Sequence, residues 1–97
     1  MKIIKSINRL NKDVNFKANI GFVPTMGGLH KGHLSLIESA KNNCDKILVS
    51  IFINPSQFDK KSDYKKYPRN LTKDLTILKN MKIDYVFLPN INDVYKN

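Results

Sequence analysis

The stretch VPTMGGLHKGH, residues 23–33, places paired glycines and paired histidines between an apolar run and a helix-like run. Gly27 and Gly28 carry no Cβ, so the backbone there can adopt positive φ and approach a ligand closely. His30 and His33 are three residues apart and are therefore neighbours on one face of a helix. Imidazoles in that position can donate hydrogen bonds to a phosphate and, when protonated, offset charge on a leaving pyrophosphate. The stretch predicts a nucleotide phosphate site.

The helix-like run that begins near Lys31 would direct its free N–H groups and positive dipole end at this loop, which also favours phosphate. Gly32, between the histidines, is expected to leave an open patch where a flat ring could lie. The glycine spacing differs from G-x-G-x-x-G and lacks the G-K-[ST] of a P-loop, so neither motif applies. Two other interpretations stay open: the histidines are ordinary exposed residues of a helix start, or they form half of a metal site. For a metal, no Cys, third His or nearby carboxylate completes the ligand set.

Three apolar runs and three periodic runs must position this stretch. They predict strands over residues 19–24, 46–53 and 84–89, helices over residues 5–13, 31–43 and 71–80, and a loop with room for one helical turn over residues 54–68. The β-α-β-α-β order implies right-handed crossovers and a parallel sheet with flanking helices, an α/β fold. Ligands of such sheets bind outside the carboxyl ends of the strands, so the loops after the first two strands should face each other across one crevice.

Composition limits the class of protein. The chain has 97 residues, so it is one domain or a piece of one, and its 41% of hydrophobic residues suffice for a small core. The longest apolar run, residues 47–53, is far short of the about 20 residues that span a bilayer, and the N-terminus does not resemble a signal peptide. Cys44 is the single cysteine, which excludes an internal disulfide and fits a reducing compartment. We expect a cytoplasmic protein with no membrane partner.

The net charge of +9 does not by itself predict nucleic-acid binding. The excess comes from lysines scattered along the chain, with Arg9 and Arg69 as the only arginines, whereas proteins that recognise bases or phosphates tend to use the planar fork of arginine. No nucleic-acid partner is expected. A positive field would instead raise the local concentration of anionic small-molecule substrates.

Three stretches resemble, in order and spacing, the N-terminal part of the pantothenate synthetase (pantoate–β-alanine ligase) family: VPTMGGLHKGHLSLI, VSIFINPSQF and YPRNLTKDL. H-x-G-H alone is shared by a wide superfamily of nucleotidyltransferases and class I aminoacyl-tRNA synthetases. The P-T-M-G prefix, combined with S-I-F-x-N-P-x-Q-F and Y-P-R, is much more specific. The likeness covers the chain from about Ile20 onward, and the family's members are much longer than this chain.

The resemblance implies a partial Rossmann-like nucleotide-binding domain of the H-x-G-H nucleotidyltransferase superfamily. Residues 1–97 would be its N-terminal portion, with the family's C-terminal part absent. It implies a ligase of pantothenate biosynthesis that forms an amide bond in two steps. The pantoate carboxylate attacks the α-phosphate of ATP, giving pantoyl adenylate and pyrophosphate, and the amine of β-alanine then attacks the mixed anhydride, releasing AMP and pantothenate. On this interpretation the chain is incomplete or truncated, and its activity alone is an open question.

The motif match assigns roles residue by residue. The ATP-binding residues would be Met26, Gly27, Gly28, Leu29, His30, Lys31, Gly32 and His33. Among them, the resemblance makes His33 the catalytic proton donor and gives His30 a phosphate contact beside it. Gln57 matches the glutamine that holds pantoate and lies near β-alanine, and its amide can donate and accept, which suits a hydroxy acid. Three further residues are expected to line the pocket: Pro24, Thr25 and Asn54.

The resemblance leaves little place for a metal held by the protein. Asp74 is the one carboxylate of its helix placed to help hold magnesium, but Lys73 stands where the family often has an acidic neighbour. We therefore expect Mg²⁺ to arrive on ATP as substrate, with no tightly bound cofactor. Two departures matter: Gly28 replaces the alanine of M-G-A-L, and the family's later lysine, glutamine and serine–arginine elements and its C-terminal lid are not among these residues.

The expected partners are the small-molecule substrates pantoate, β-alanine and ATP, with a homodimer implied by the resemblance and a second polypeptide carrying the missing half left open. Two alternatives remain for function. Another H-x-G-H adenylyltransferase would have no use for Gln57 and SIFINPSQF. A non-catalytic remnant or binding module would need a partner chain.

Overall fold

The apolar run that begins at Lys46 forms a strand inside a four-stranded parallel sheet. The computed structural model describes residues 1–52 and 67–89, apart from the side chains of residues 67–69. Its elements are β1 (Lys2–Ile4), α1 (Ile7–Asp13), β2 (Ile20–Thr25), α2 (Lys31–Asn43), β3 (Lys46–Ile51), α3 (Tyr67–Asn80) and β4 (Tyr85–Phe87). The strand order is β1-β4-β3-β2. The predicted α/β class, with a parallel sheet and flanking helices, is confirmed.

Strand β1 is missing from the sequence prediction, which has three strands. It is three residues long and pairs with β4 alone, Lys2 opposite Tyr85, so it is too short to produce a hydrophobic period. Helix α1 begins at Ile7, two residues after the predicted start, because the Ser6 hydroxyl caps it by accepting the Arg9 N–H at 3.2 Å.

The sequence predicts that strand β2 stops at Pro24, but the strand continues to Thr25. The carbonyl of Asn19 accepts the Lys46 N–H and the carbonyl of Thr25 accepts the Phe52 N–H, so the odd-numbered residues of this segment direct their main-chain polar groups toward β3. The even-numbered residues of β2 therefore direct theirs away from β3. Pro24 is one of these, and its missing N–H therefore removes no hydrogen bond to β3. Its ring is compatible with the strand for this reason.

Helix α2 has the predicted bounds, whereas α3 begins four residues before the predicted Leu71. Pro68 lies in the first turn of α3, where a helix has no use for a proline N–H, so the proline starts the helix rather than excluding it. Residues 67–68, at the end of the predicted loop over 54–68, thus belong to α3 and not to a separate helical turn. The remaining residues of that predicted loop, and Ile53 at the end of the predicted strand, lie outside the described part of the chain.

The core lies between the sheet and helices α2 and α3. It is formed by Val23, Ile37, Ile47, Val49, Ile51, Leu78, Ile83 and Val86. The predicted inward face of α3 is confirmed, because Leu78 is fully buried and Leu71 and Leu75 pack against this core. The other side of the sheet carries Phe22 and Phe87, which line a cavity with Leu10 of α1. The sheet thus has helices on both sides and leaves its carboxyl edge free for a site.

Candidate functional site

A cleft of about 380 Å³ lies at the carboxyl ends of β2 and β3. Its lining comes from Pro24, Thr25, Met26, His33, Ser50 and Phe52. Both strand ends contribute, as expected for loops that follow neighbouring parallel strands. Four of these six residues were predicted from the sequence as members of the site: Pro24, Thr25, Met26 and His33.

The loop between β2 and α2 turns at its paired glycines. Gly27 has φ 84° and Gly28 has φ 66°, both in the left-handed region that side chains disfavour. A Cβ on Gly28 would meet no atom within 4 Å, so the requirement for glycine there is conformational and not steric. The turn begins with Thr25, whose hydroxyl accepts the Gly27 N–H at 3.2 Å.

Asp74 of α3 lies directly beneath this loop. One carboxylate oxygen accepts the Gly28 N–H at 2.9 Å and the other accepts the Leu29 N–H at 3.0 Å. The residue is 3% exposed and forms no ion pair with a lysine or arginine among the described residues. Two backbone donors thus compensate the charge of a buried carboxylate.

The two histidines cap the first turn of α2 together. Nδ1 of His30 accepts the Gly32 N–H at 3.0 Å, and Nδ1 of His33 accepts the N–H of His30 at 3.2 Å. Their ring centroids are 4.1 Å apart. A nitrogen that accepts a hydrogen bond carries no proton, so each neutral ring carries its proton on Nε2. The pair therefore has two neighbouring Nε2–H donors, and of the two rings His33 lines the cleft.

The surroundings of His33 favour its neutral form. Burial lowers the pKa of His33, the adjacent His30 lowers it further, and the carboxylate of Asp74 partly opposes them by raising it. The lowered pKa agrees with the hydrogen bond that Nδ1 accepts, since protonation of Nδ1 would break it.

Two expectations about this loop are wrong in detail. Gly32 does not leave an open patch, because the His30 ring covers it: a Cβ on Gly32 would lie 2.9 Å from Cε1 of His30. Nor are all the first N–H groups of α2 free for a phosphate, since that of Gly32 donates to Nδ1 of His30. The loop amides of Gly27, Gly28, Leu29 and His30 also donate to side chains of the protein.

The remaining predicted site residues fall into three groups. The side chain of Leu29 packs against the core and so supports the loop from within. Lys31 is exposed on the outer side of α2. Gln57 and Asn54 lie outside the described residues.

Asp74 does not fit a magnesium site. Mg²⁺ requires near-octahedral geometry and usually keeps several waters, for which a carboxylate that is 3% exposed leaves no room. No cluster of three or more His, Cys, Asp or Glu side chains suited to a metal occurs in the described ranges 1–52 and 67–89. Over the same ranges, no helix has the length and apolar character of a membrane span.

Two residues have roles at the site that the sequence does not predict. The sequence indicates Asp74 only as a metal ligand, although it lies on the same face of α3 as Leu71 and Leu78, where a carboxylate signals a buried polar contact. Ser50, 9% exposed, is enclosed in an apolar strand, and only the position of that strand beside β2 shows that it lines the cleft.

A parallel α/β sheet with an H-x-G-H loop at its carboxyl edge defines a nucleotidyltransferase-like protein. Residues 2–97 match the family model for pantoate-beta-alanine ligase, and the chain belongs to that family.

Known proteins agree with this assignment in sequence and in fold. Over 98% of the chain, the sequence is 50% identical to the pantothenate synthetase of Thermosipho africanus, of which the match covers 36%. The structure superposes over the whole chain, with a TM-score of 0.81 and 42% identity, on 38% of the pantoate-beta-alanine ligase from Francisella tularensis, determined in complex with beta-gamma ATP and beta-alanine. The pantothenate synthetase of Thermus thermophilus gives a TM-score of 0.83 at 36% identity, with 35% of that chain covered. The chain thus spans about a third of the length of these relatives.

Proposed function

We propose that this chain supplies the nucleotide-binding part of an enzyme that ligates pantoate and β-alanine to pantothenate, with ATP as co-substrate and pantoyl adenylate as intermediate. Its membership of the pantoate-beta-alanine ligase family supports the overall reaction. The observation that carries the site is the pair of imidazoles that cap α2 through their Nδ1 atoms, which leaves Nε2–H as the donor of each ring. Another H-x-G-H adenylyltransferase is not favoured, because the family match extends over residues 2–97.

In this proposal the imidazoles bind the phosphates of ATP. The amides of Gly28, Leu29 and Gly32 already donate within the protein, and we assign the phosphate contacts to the Nε2–H donors of the two imidazoles. His33 lines the cleft, and we assign it the donor that stabilises charge developing on the departing pyrophosphate. Its lowered pKa favours the neutral ring, and the hydrogen bond from the His30 N–H to Nδ1 places the ring proton on Nε2.

Pantoate is proposed to bind at the β3 side of the same cleft. β3 ends at Ile51 and Phe52 lines the cleft, so the chain leaves the sheet at this position toward Asn54 and Gln57. An amide at Gln57 would hold the hydroxyl and carboxylate of pantoate and lie near the amine of β-alanine.

The partners follow from the same proposal. Magnesium would arrive on ATP as part of the substrate, since the one candidate carboxylate does not fit it. Groups that grip the triphosphate from the opposite side would come from further residues or a second polypeptide. A homodimer and a cytoplasmic location stay predictions.

Calorimetry with ATP and AMP at millimolar concentration tests the nucleotide site on the chain itself. We expect heat with wild type, several-fold weaker binding for His33→Asn and unchanged binding for Lys46→Met. Asparagine keeps an acceptor for the His30 N–H but lacks the outer donor, while Lys46 lies at the opposite edge of the sheet. Absence of heat from a chain shown to be folded by NMR would refute the nucleotide site. Following AMP and pantothenate with pantoate, β-alanine and Mg-ATP, with and without a candidate second polypeptide, tests the ligation.

A further inference from the structure

We propose that Asp74 is a positioning residue of this site, which holds the β2–α2 loop through two backbone amides, and that it does not ligate magnesium. The inference rests on the proposed function only for its effect on nucleotide binding. The contact itself is a property of the fold.

The contact joins two distant parts of the chain. Asp74 lies in α3, 46 residues after Gly28 and 45 after Leu29, and both of its oxygens are engaged by consecutive amides. Two donors on one carboxylate fix the orientation of two successive peptide planes. One plane joins Gly27 to Gly28 and the other joins Gly28 to Leu29. Both glycines have positive φ, and without such contacts they would give the backbone wide freedom.

The fixed planes determine what the loop can offer a ligand. Amides that turn inward toward Asp74 cannot bind phosphate, so the contact leaves this task to the imidazoles that follow. His30 is the residue after Leu29, and its N–H donates to Nδ1 of His33. A loop released from Asp74 would lose the geometry of the cap that positions both rings, and so weaken nucleotide binding without any direct contact between Asp74 and ligand.

The surroundings favour an anchor over a metal ligand. Asp74 is 3% exposed, and its neighbour Lys73 is exposed and cationic. An anion held by amide donors needs no cation for compensation, and a metal ion would compete with these donors for the same oxygens.

Asp84 provides a matched control at the other edge of the sheet. It accepts the N–H of Ile47 at 2.9 Å, so Asp84→Asn also changes a carboxylate that binds a backbone amide, but far from the loop. In Asp74→Asn the side-chain amide has one acceptor oxygen, and its NH₂ group would face the other N–H donor.

The first experiment is hydrogen exchange of individual amides by NMR, on wild type and both variants without nucleotide. We expect Asp74→Asn to speed exchange at Gly28 or Leu29 by about tenfold, the scale of one hydrogen bond, and to leave Ile47 unchanged. Asp84→Asn should give the reverse pattern. Equal acceleration at all three amides in Asp74→Asn would mean general destabilisation and would overturn the positioning role.

A titration of wild type with Mn²⁺, a paramagnetic substitute for Mg²⁺, needs no variant to fold. We expect no selective broadening of the Gly28, Leu29 and Asp74 resonances at submillimolar Mn²⁺. Selective broadening that vanishes in Asp74→Asn would identify a metal ligand and overturn the proposal.

The last measurement is the affinity for ATP. Asp74→Asn should bind ATP about tenfold more weakly than wild type, while Asp84→Asn binds as wild type does, even where both lose stability equally. Equal affinity of wild type and Asp74→Asn would contradict the positioning role. If wild type itself binds no ATP, the proposed function fails, and amide exchange and Mn²⁺ still decide whether Asp74 anchors the loop.

Discussion

At both edges of the sheet an aspartate carboxylate accepts hydrogen bonds from backbone amides, but the two contacts hold different kinds of segment. At the amino edge, Asp84 accepts the Ile47 N–H, returns its own N–H to the Ile47 carbonyl at 3.2 Å, and ion-pairs with Lys46 at 3.6 Å. At the carboxyl edge, Asp74 accepts two amides of a loop and has no such cation among residues 1–52 and 70–89. The side chain of Asp84 is 32% exposed, whereas Asp74 is 3% exposed.

The difference concerns what each carboxylate fixes. Asp84 joins the entry of β4 to the entry of β3, two segments that the strand pairing already holds, and solvent and lysine share its charge. Asp74 fixes a loop that no strand pairing holds, next to the only two histidines of the chain. A carboxylate of this kind therefore strengthens the fold at one edge and shapes a site at the other.

The largest expected difference between the two edges concerns the rate of adenylate formation. In an enzyme made complete by the remaining part of the family's length, His33→Ala should slow adenylate formation by about 100-fold or more, since one charge-stabilising donor is lost. Pyrophosphate release measures it. Lys46→Met, at the amino edge, should leave the rate unchanged, and His33→Gln, whose amide can replace the outer donor, should recover part of the loss. A normal rate of pyrophosphate release in His33→Ala would break the contrast.

Stability should separate the two aspartates next. Asp74→Ala leaves two backbone donors without an acceptor in a buried place and should lower the free energy of unfolding by roughly 2–4 kcal/mol. Asp84→Ala should cost about 1 kcal/mol, because water can reach the groups it leaves behind. Urea unfolding of both variants decides the matter. Equal losses would show that burial does not distinguish the two contacts.

Within the carboxyl edge, the two strand ends should serve different substrates. Gln57→Ala should raise the pantoate requirement by about tenfold, the loss expected for hydrogen bonds of a neutral amide, with ATP affinity nearly unchanged. Steady-state kinetics of the completed enzyme with each substrate varied measures both. An equal loss for ATP and pantoate would mean that the substitution disrupts both binding sites and not the pantoate site alone.

The smallest effect expected is on pH dependence, and it should arise at the carboxyl edge alone. The pKa of His33 is lowered in the folded protein, so the unfolded chain binds the proton more readily. Stability from neutral His33 is therefore complete above the unfolded value of about 6.5 and declines as the pH falls toward the lower folded value. Urea midpoints between pH 7.5 and about 5 should fall in wild type and fall less in His33→Asn. Identical pH profiles would show that His33 does not contribute.

The sequence predicts those features of the fold that have a strong period. α2 keeps its predicted bounds because apolar residues recur along it, and β3 is identified by an uninterrupted apolar run. β1 has too few residues to show any period, and the start of α3 is hidden by Pro68, which has opposite meanings inside a helix and in its first turn.

The candidate site divides in the same way. The cleft and His33 follow from strand order, because parallel strands bring their carboxyl ends together. The contact between Asp74 and Gly28 does not follow, since it spans 46 residues and depends on the distance between a helix and a loop. The position of the His30 ring over Gly32 depends on a side-chain rotamer, which no spacing of residues predicts.

Pro24 has a consequence for any strand that adds to the outer edge of β2. In the part of the chain that the structure describes, β2 pairs with β3 alone, and its outward residues are Ile20, Phe22 and Pro24. The first two can donate an N–H to an incoming strand, and Pro24 cannot. A new β-ladder would therefore find no donor at Pro24, one residue before β2 ends, so its last hydrogen bonds with β2 would involve Phe22 and the Pro24 carbonyl.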